Sequence, residues 1–259
     1  MSLTNQVVLI TGAGSGIGLN CAKAFAAEGA KIAVADINAK TAEAAAKELC
    51  DCGKTAIPII MDVGVEADVE AGVQKCIDEL GGLDIAFSNA GMQLVSPIED
   101  FPFADWKKMM AIHADGAFLI SRAAFRYMKK TGKGGKIIYM GSAHSHVASP
   151  LKSPYCFAKH GLLGLARVLA KEGAAHKIHT YVICPGFVKT PLVEKQIPEQ
   201  AAALGISEED VVKTIMLKDT IDGEFTSLED VANCALFFAQ DSGALSGQSL
   251  IVSHGWCMK

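Results

Sequence analysis

A hydroxyl, a phenol and an ammonium stand close together in the stretch YMGSAHSHVASPLKSPYCFAKHG, as Ser142, Tyr155 and Lys159. The set suits proton-coupled redox chemistry, in which a phenolate takes an alcohol's proton while a hydroxyl donor holds the reacting oxygen. Ser153 followed by Pro154 predicts a helix start, with Ser153 as the cap and Pro154 in the first turn, where a missing donor does no harm. Tyr155 and Lys159, four residues apart, then share one helical face. A free phenol titrates near pH ~10, so a tyrosine base needs a lowered pKa. The Lys159 cation is placed to lower it. The pair alone proves little, since a half-buried tyrosine beside a solvated lysine has the same spacing.

Chemistry of this kind needs a frame, and the rest of the chain reads as one. It has 259 residues, half of them hydrophobic, enough for one large α/β domain over 1–259. Strand-like runs are QVVLI (6–10), KIAVAD (31–36), AIPIIM (56–61), LDIAFSN (83–89), GKIIYM (135–140), HTYVIC (179–184) and SLIVS (249–253). Helices are expected from the glycine turn to Glu28 and over 38–51, 65–80, 103–129, 154–175 and 228–239, the last opened by Ser227 in a capping box. Continuous apolar strands alternating with helices predict a Rossmann-like, doubly wound parallel sheet. Residues 188–226 break this rhythm with Pro191 and Pro198 and read as a helical lid over a ligand.

The net charge of −4 argues against a nucleic-acid surface, and the basic run KKTGKGGK at 129–136 reads as a solvated turn. Eight cysteines without a CxxC pair suit a reducing compartment. No apolar run reaches membrane-spanning length and no signal peptide precedes the first strand, so a soluble, cytoplasmic protein is expected. His144 and His146 form an HxH pair, but no other cluster supports it and no metal site is assigned.

Gly12, Gly16 and Gly18 lie between a strand and a helix, where bare backbone can approach a pyrophosphate and helix-start amides can bind it. Asp36 closes the second strand, placed to accept from ribose hydroxyls and to repel a 2′-phosphate, which favours NAD over NADP. Asp62, at the end of the third strand, is a candidate acceptor for the adenine amino group.

These motifs together resemble the short-chain dehydrogenase/reductase family along essentially the whole chain. TGAGSGIG is similar to its cofactor loop, NAG at 89–91 to its fourth-strand signature, Ser142 with Tyr155 and Lys159 to its catalytic set, and PGFVKT at 185–190 to its nicotinamide-side loop. The resemblance implies a single Rossmann-like domain, a homotetramer, and cofactor contacts from Gly12, Ser15, Gly16, Ile17, Gly18, Asp36, Asp62, Val63, Asn89, Tyr155, Lys159, Pro185, Gly186, Val188 and Thr190. One family position departs. Where the family carries an asparagine at a helix kink, helping to hold a water that links the lysine to solvent, this chain has His113. Histidine can substitute if the backbone carbonyl carries that role, whereas a side-chain role leaves the proton relay open to question. The C-terminal SHGW also departs from the family's DGG, without an assigned function.

A narrower resemblance, to the bacterial D-3-hydroxybutyrate dehydrogenases, rests on Gln93, His144, Lys152 and Gln196, which in that subfamily hold the substrate carboxylate. One ammonium with several neutral donors suits a small anion. The expected activity is interconversion of (R)-3-hydroxybutyrate and acetoacetate by NAD, with Tyr155 as acid/base, and Phe187 and Leu192 are expected to bound the pocket. Two alternatives stay open: a relative acting on another alcohol or a 3-oxoacyl thioester, and a non-catalytic NAD-binding protein.

Overall fold

The seven apolar runs form seven strands of one parallel sheet in the computed structural model, which describes residues 3–258. They are β1 (Val7–Thr11), β2 (Lys31–Asp36), β3 (Ala56–Ile60), β4 (Ile85–Ser88), β5 (Gly135–Met140), β6 (Ile178–Pro185) and β7 (Ser249–Val252), in the order β3-β2-β1-β4-β5-β6-β7. Neighbouring strand residues point to opposite faces, so Val8 and Ile10 enter one apolar layer with Phe25 and Phe238, while Val7 and Leu9 enter the other with Val73 and Ile120. Pro58, which has no donor for a ladder, sits on edge strand β3.

Helices cover both faces: α1 (Gly16–Ala27), α2 (Ala39–Asp51), α3 (Glu66–Leu80), α4 (Phe103–Met110), α5 (Gly116–Thr131), α6 (Ser153–Gly173), α7 (Pro191–Leu204), the short α8 (Glu208–Asp210) and α9 (Leu228–Gln240). Among the described residues, no helix is long and apolar enough to cross a membrane. The sheet reverses its winding between β1 and β4. In open α/β sheets a ligand crevice lies beyond the carboxyl ends of the strands at such a point.

Three local expectations need correction. The helix expected over 103–129 is two helices joined by a π-helical turn, Ala111–Asp115. A side chain on Gly116 would come within 2.9 Å of Val63, so the extra residue of the π turn accompanies a close approach of this helix to the loop after β3. Helix α6 starts one residue early: Lys152 is its cap, without a side-chain capping bond, and Ser153 and Pro154 are already in the first turn. Strand β3 ends at Ile60, so Asp62 lies in the loop beyond it, its carboxylate accepting from Gly64 N at 2.9 Å.

Residues 188–226 form a small unit of their own. Val188 pairs with Thr226 in an isolated parallel bridge that closes its base. Inside, α7, α8 and a second π-helical turn, Val211–Met216, gather Val193, Val211 and Met216 against Phe187 and Phe225.

Ser227 caps α9 by accepting from Asp230 N at 3.0 Å, while Asp230 accepts in return from Ser227 N at 2.9 Å. Ser227→Ala is expected to destabilise the protein by about 1 kcal/mol. Thermal unfolding should show this as a drop of about 2–4 °C in Tm.

Candidate active site

The crevice begins at the reversal point of the sheet. Asn89, just past β4, donates from Nδ2 to Thr11 O at 2.9 Å and from its backbone N to Thr11 Oγ1 at 3.0 Å, tying the two diverging strands together. The glycine turn packs on this link with no room to spare: a side chain on Gly18 would lie 2.2 Å from Gly12 O. Ser15 precedes α1 without a side-chain capping bond, so the first-turn amides have no side-chain acceptor and suit an anion. At the end of β2, Asp36 accepts from Gly14 N at 3.0 Å and Asn38 N at 2.9 Å, which fixes its carboxylate at the rim. Bare backbone, an uncapped helix start and an oriented carboxylate together fit a dinucleotide.

On the other side of the crevice α6 presents Tyr155 and Lys159 as the four-residue spacing requires, with the ammonium 5.4 Å from the centre of the phenol ring. Lys159 is buried and donates to Met140 O at 2.6 Å. Ser142 opens a tight turn: its Oγ accepts from His144 N at 3.1 Å, while Ser145 Oγ accepts from Ser142 N at 3.2 Å. With Oγ already accepting, the hydroxyl proton is left to donate into the cavity.

The expected lowering of the Tyr155 pKa is not what the structure gives. Burial pushes the phenol up to about 12, offset only in part by its bond with Ser142. Lys159 is itself pulled down to about 8 by burial. The four-residue spacing brings the two groups together as expected, but burial sets the direction of both pKa values.

Beyond Tyr155 lies a polar wall. Gln93, His144, Lys152 and Gln196 are all buried. Lys152 is 2% exposed and has no ion pair among the described residues; its ammonium lies 4.8 Å from the Phe187 ring centre. Burial lowers its pKa to about 8. His144 is held down to about 3, first by burial and then by the Lys152 cation, against an opposing contact with the Val147 backbone. Gln93 donates from Nε2 to Leu94 O at 2.8 Å and leaves Oε1 unpaired, so a bound anion would meet it through the second amide hydrogen.

Apart from Leu192, the residues singled out from the sequence for the site line this one cavity of about 430 Å³, including Ile17, Val63, Pro185, Gly186, Val188 and Thr190. The Leu192 side chain lies outside the described residues. Sequence reading missed Trp256, whose ring packs edge-on against His144 at 5.2 Å and near Phe187 at 5.6 Å. The SHGW departure marked its neighbourhood but gave no contact. Met92 and Gly141 also line the cavity and were missed.

His113 sits in the π-helical turn, buried, with its ring edge-on to Tyr155 at 5.5 Å. Its Nε2 lies 2.7 Å from Met92 O and 3.1 Å from Met92 N. A side chain on Gly91 would strike the imidazole at 2.7 Å, so the glycine of the NAG motif makes room for it. The imidazole is therefore a strut under the loop that carries Asn89 and Gln93.

A parallel sheet with this strand order, a glycine turn at its reversal point and a hydroxyl, a phenol and an ammonium across the crevice define a nucleotide-dependent oxidoreductase. The chain matches the short chain dehydrogenase family over residues 6–201, and it belongs to that family, the short-chain dehydrogenases/reductases, whose members use NAD or NADP. Among curated relatives it is 40% identical to a D-beta-hydroxybutyrate dehydrogenase of Rhizobium meliloti, covering 97% of this chain and 98% of that protein. It is 36% identical to a D-beta-hydroxybutyrate dehydrogenase of Cupriavidus necator, covering 98% of each. A crystal structure of a short-chain type dehydrogenase/reductase from Mycobacterium marinum superposes with a TM-score of 0.89 at 30% identity, over 100% of this chain and 98% of that one.

Burial, then the Lys159 cation, hold the His113 imidazole down to about 3. A base with so low a pKa stays neutral as pH rises from there, so nitrogen NMR of a labelled protein should show a neutral His113 ring throughout about pH 5–9. A ring that titrates near the ordinary histidine value would contradict the buried strut.

Proposed function

We propose that this protein interconverts (R)-3-hydroxybutyrate and acetoacetate with NAD. The observation that carries the reading is Lys152: a buried ammonium beside Tyr155 with no acidic partner among the described residues. Such a charge is expensive to bury alone and calls for an anion from outside the chain. A short hydroxy acid supplies a carboxylate at one end and a carbinol at the other, within reach of one cavity. An acyl thioester would place no carboxylate against Lys152.

The residues divide the work. Lys152 and His144 bind the carboxylate, with Gln93 and Gln196 on either side, and this fixes the carbinol toward Ser142 and Tyr155. Ser142 donates to the reacting oxygen. When bound, NAD supplies the electron acceptor and a positively charged ring. Positive charge near a buried phenol favours its anion, and the Lys159 ammonium, 5.4 Å from the phenol ring centre, supplies it where Tyr155 takes the alcohol proton. Lys159, held in place by its bond to Met140 O, keeps its positive charge near the phenol below about pH 8. Asp36 favours NAD over NADP because its carboxylate opposes a 2′-phosphate, and no basic side chain follows it at Ile37 or Asn38.

Tyr155→Phe is expected to lower kcat at least about a hundredfold while NADH still binds, as judged by fluorescence titration. Near-normal turnover by that variant would sink the mechanism. Lys152→Met should raise KM for 3-hydroxybutyrate about tenfold or more, the scale of a lost charged hydrogen bond. In the unsubstituted protein KM should also climb as pH passes about 8, where Lys152 loses its proton. The variant should lose that climb.

A further inference from the structure

The segment after β7 departs from its family and is bound into the site by more than Trp256. His254 occupies the left-handed region at φ 50, where a side chain is crowded against the next carbonyl and glycine is preferred. Its imidazole spans two carboxylates, Nδ1 lying 2.6 Å from Asp222 Oδ2 and Nε2 lying 3.6 Å from Asp230 Oδ2. Its carbonyl accepts from Ile221 N at 2.8 Å. Asp222 lies near the end of the 188–226 unit, and Asp230 is the residue that completes the α9 capping box. One strained residue thus joins the tail, the helical unit and α9, two residues from the ring that packs on His144.

We propose that His254 is a positioning residue for the substrate wall: with Asp222 and Asp230 it clamps the tail that carries Trp256, and the clamp loosens when the imidazole loses its proton. The proposal rests on the assignment of the His144 wall to substrate. The charged groups that face the imidazole, among the described residues, are Asp222 and Asp230. A protonated ring donates to Asp222 and sets its positive charge 3.6 Å from Asp230. A neutral ring keeps one N–H and turns a lone pair toward the other carboxylate, which repels it. The backbone strain at His254 is held in place by these contacts and favours release once they weaken.

The sign follows from the partners. The Asp222 bond, then Asp222 and Asp230 charge, raises the His254 pKa above its ordinary 6.5. The His254 bond lowers the Asp222 carboxyl, while Asp230 is lowered first by its bonds to Ser227 and then by His254. The clamp is therefore fully charged below the ordinary histidine range and is lost as pH rises through the raised value. The side chains are part-exposed, so salt should weaken the effect.

Trp106→Phe leaves Trp256 as the chain's single tryptophan and a direct reporter. In that background the Trp256 emission should shift across about pH 6–9. Adding Asp222→Asn should move the midpoint down, and adding His254→Asn, a residue that tolerates the left-handed conformation, should abolish the transition. With Trp106 restored, His254→Asn should raise KM for 3-hydroxybutyrate about two- to fivefold at pH 6, the scale of a part-exposed charge pair, with kcat nearly unchanged. A pH transition that persists in His254→Asn, or a flat emission in the parent, overturns the clamp. If the emission behaves as expected but no 3-hydroxybutyrate is turned over, the clamp stands and the substrate assignment falls.

Discussion

Two ammonium groups, Lys152 and Lys159, are buried in one cavity, and among the described residues neither has an ion pair. Much of the site follows from that constraint. A third positive charge nearby is unfavourable, so His144 and His113 are both held neutral, each by burial and then by the adjacent lysine. Lys159 spends its charge on a carbonyl, Met140 O, and Lys152 on the face of an aromatic ring. Neither contact is with a carboxylate, and burial pulls both ammonium groups down to about 8. A site in this condition is prepared for negative charge.

Holding such a cavity open requires stiff walls. The Asn89 link to Thr11 and the His113 strut under Met92 fix the loop between the two halves of the crevice. The π-helical turn that presents His113 runs into Gly116, which lies close against Val63. A residue far from the reacting atoms in sequence is thereby tied to the backbone that shapes both the nucleotide and the polar sides of the cavity.

The strands and the glycine turn were legible because continuous apolar runs and bare-backbone turns leave local marks. Tyr155 and Lys159 were legible as a pair because helical spacing alone brings them together. The Tyr155 pKa was not, since burial is a property of the assembled chain and overrides the neighbouring charge. The π-helical turn escaped notice because its residues continue the helical pattern on either side. Trp256 was missed for a related reason: it meets His144 across more than a hundred residues of chain, and no period announces such a contact. The start of α6 was off by one because the proline that marks a first turn fits its second position as well.

The bridge between Val188 and Thr226 brings the two ends of the helical unit side by side on the edge of the main fold. What lies between has its own small apolar cluster around Val193, Val211 and Met216. Closing a long loop adds little entropy beyond closing a short one. A unit anchored at one doorway can change in length between its anchors while β1 through β6 and the glycine turn keep their places, so the cover over the polar wall is free to vary without moving the strands beneath it.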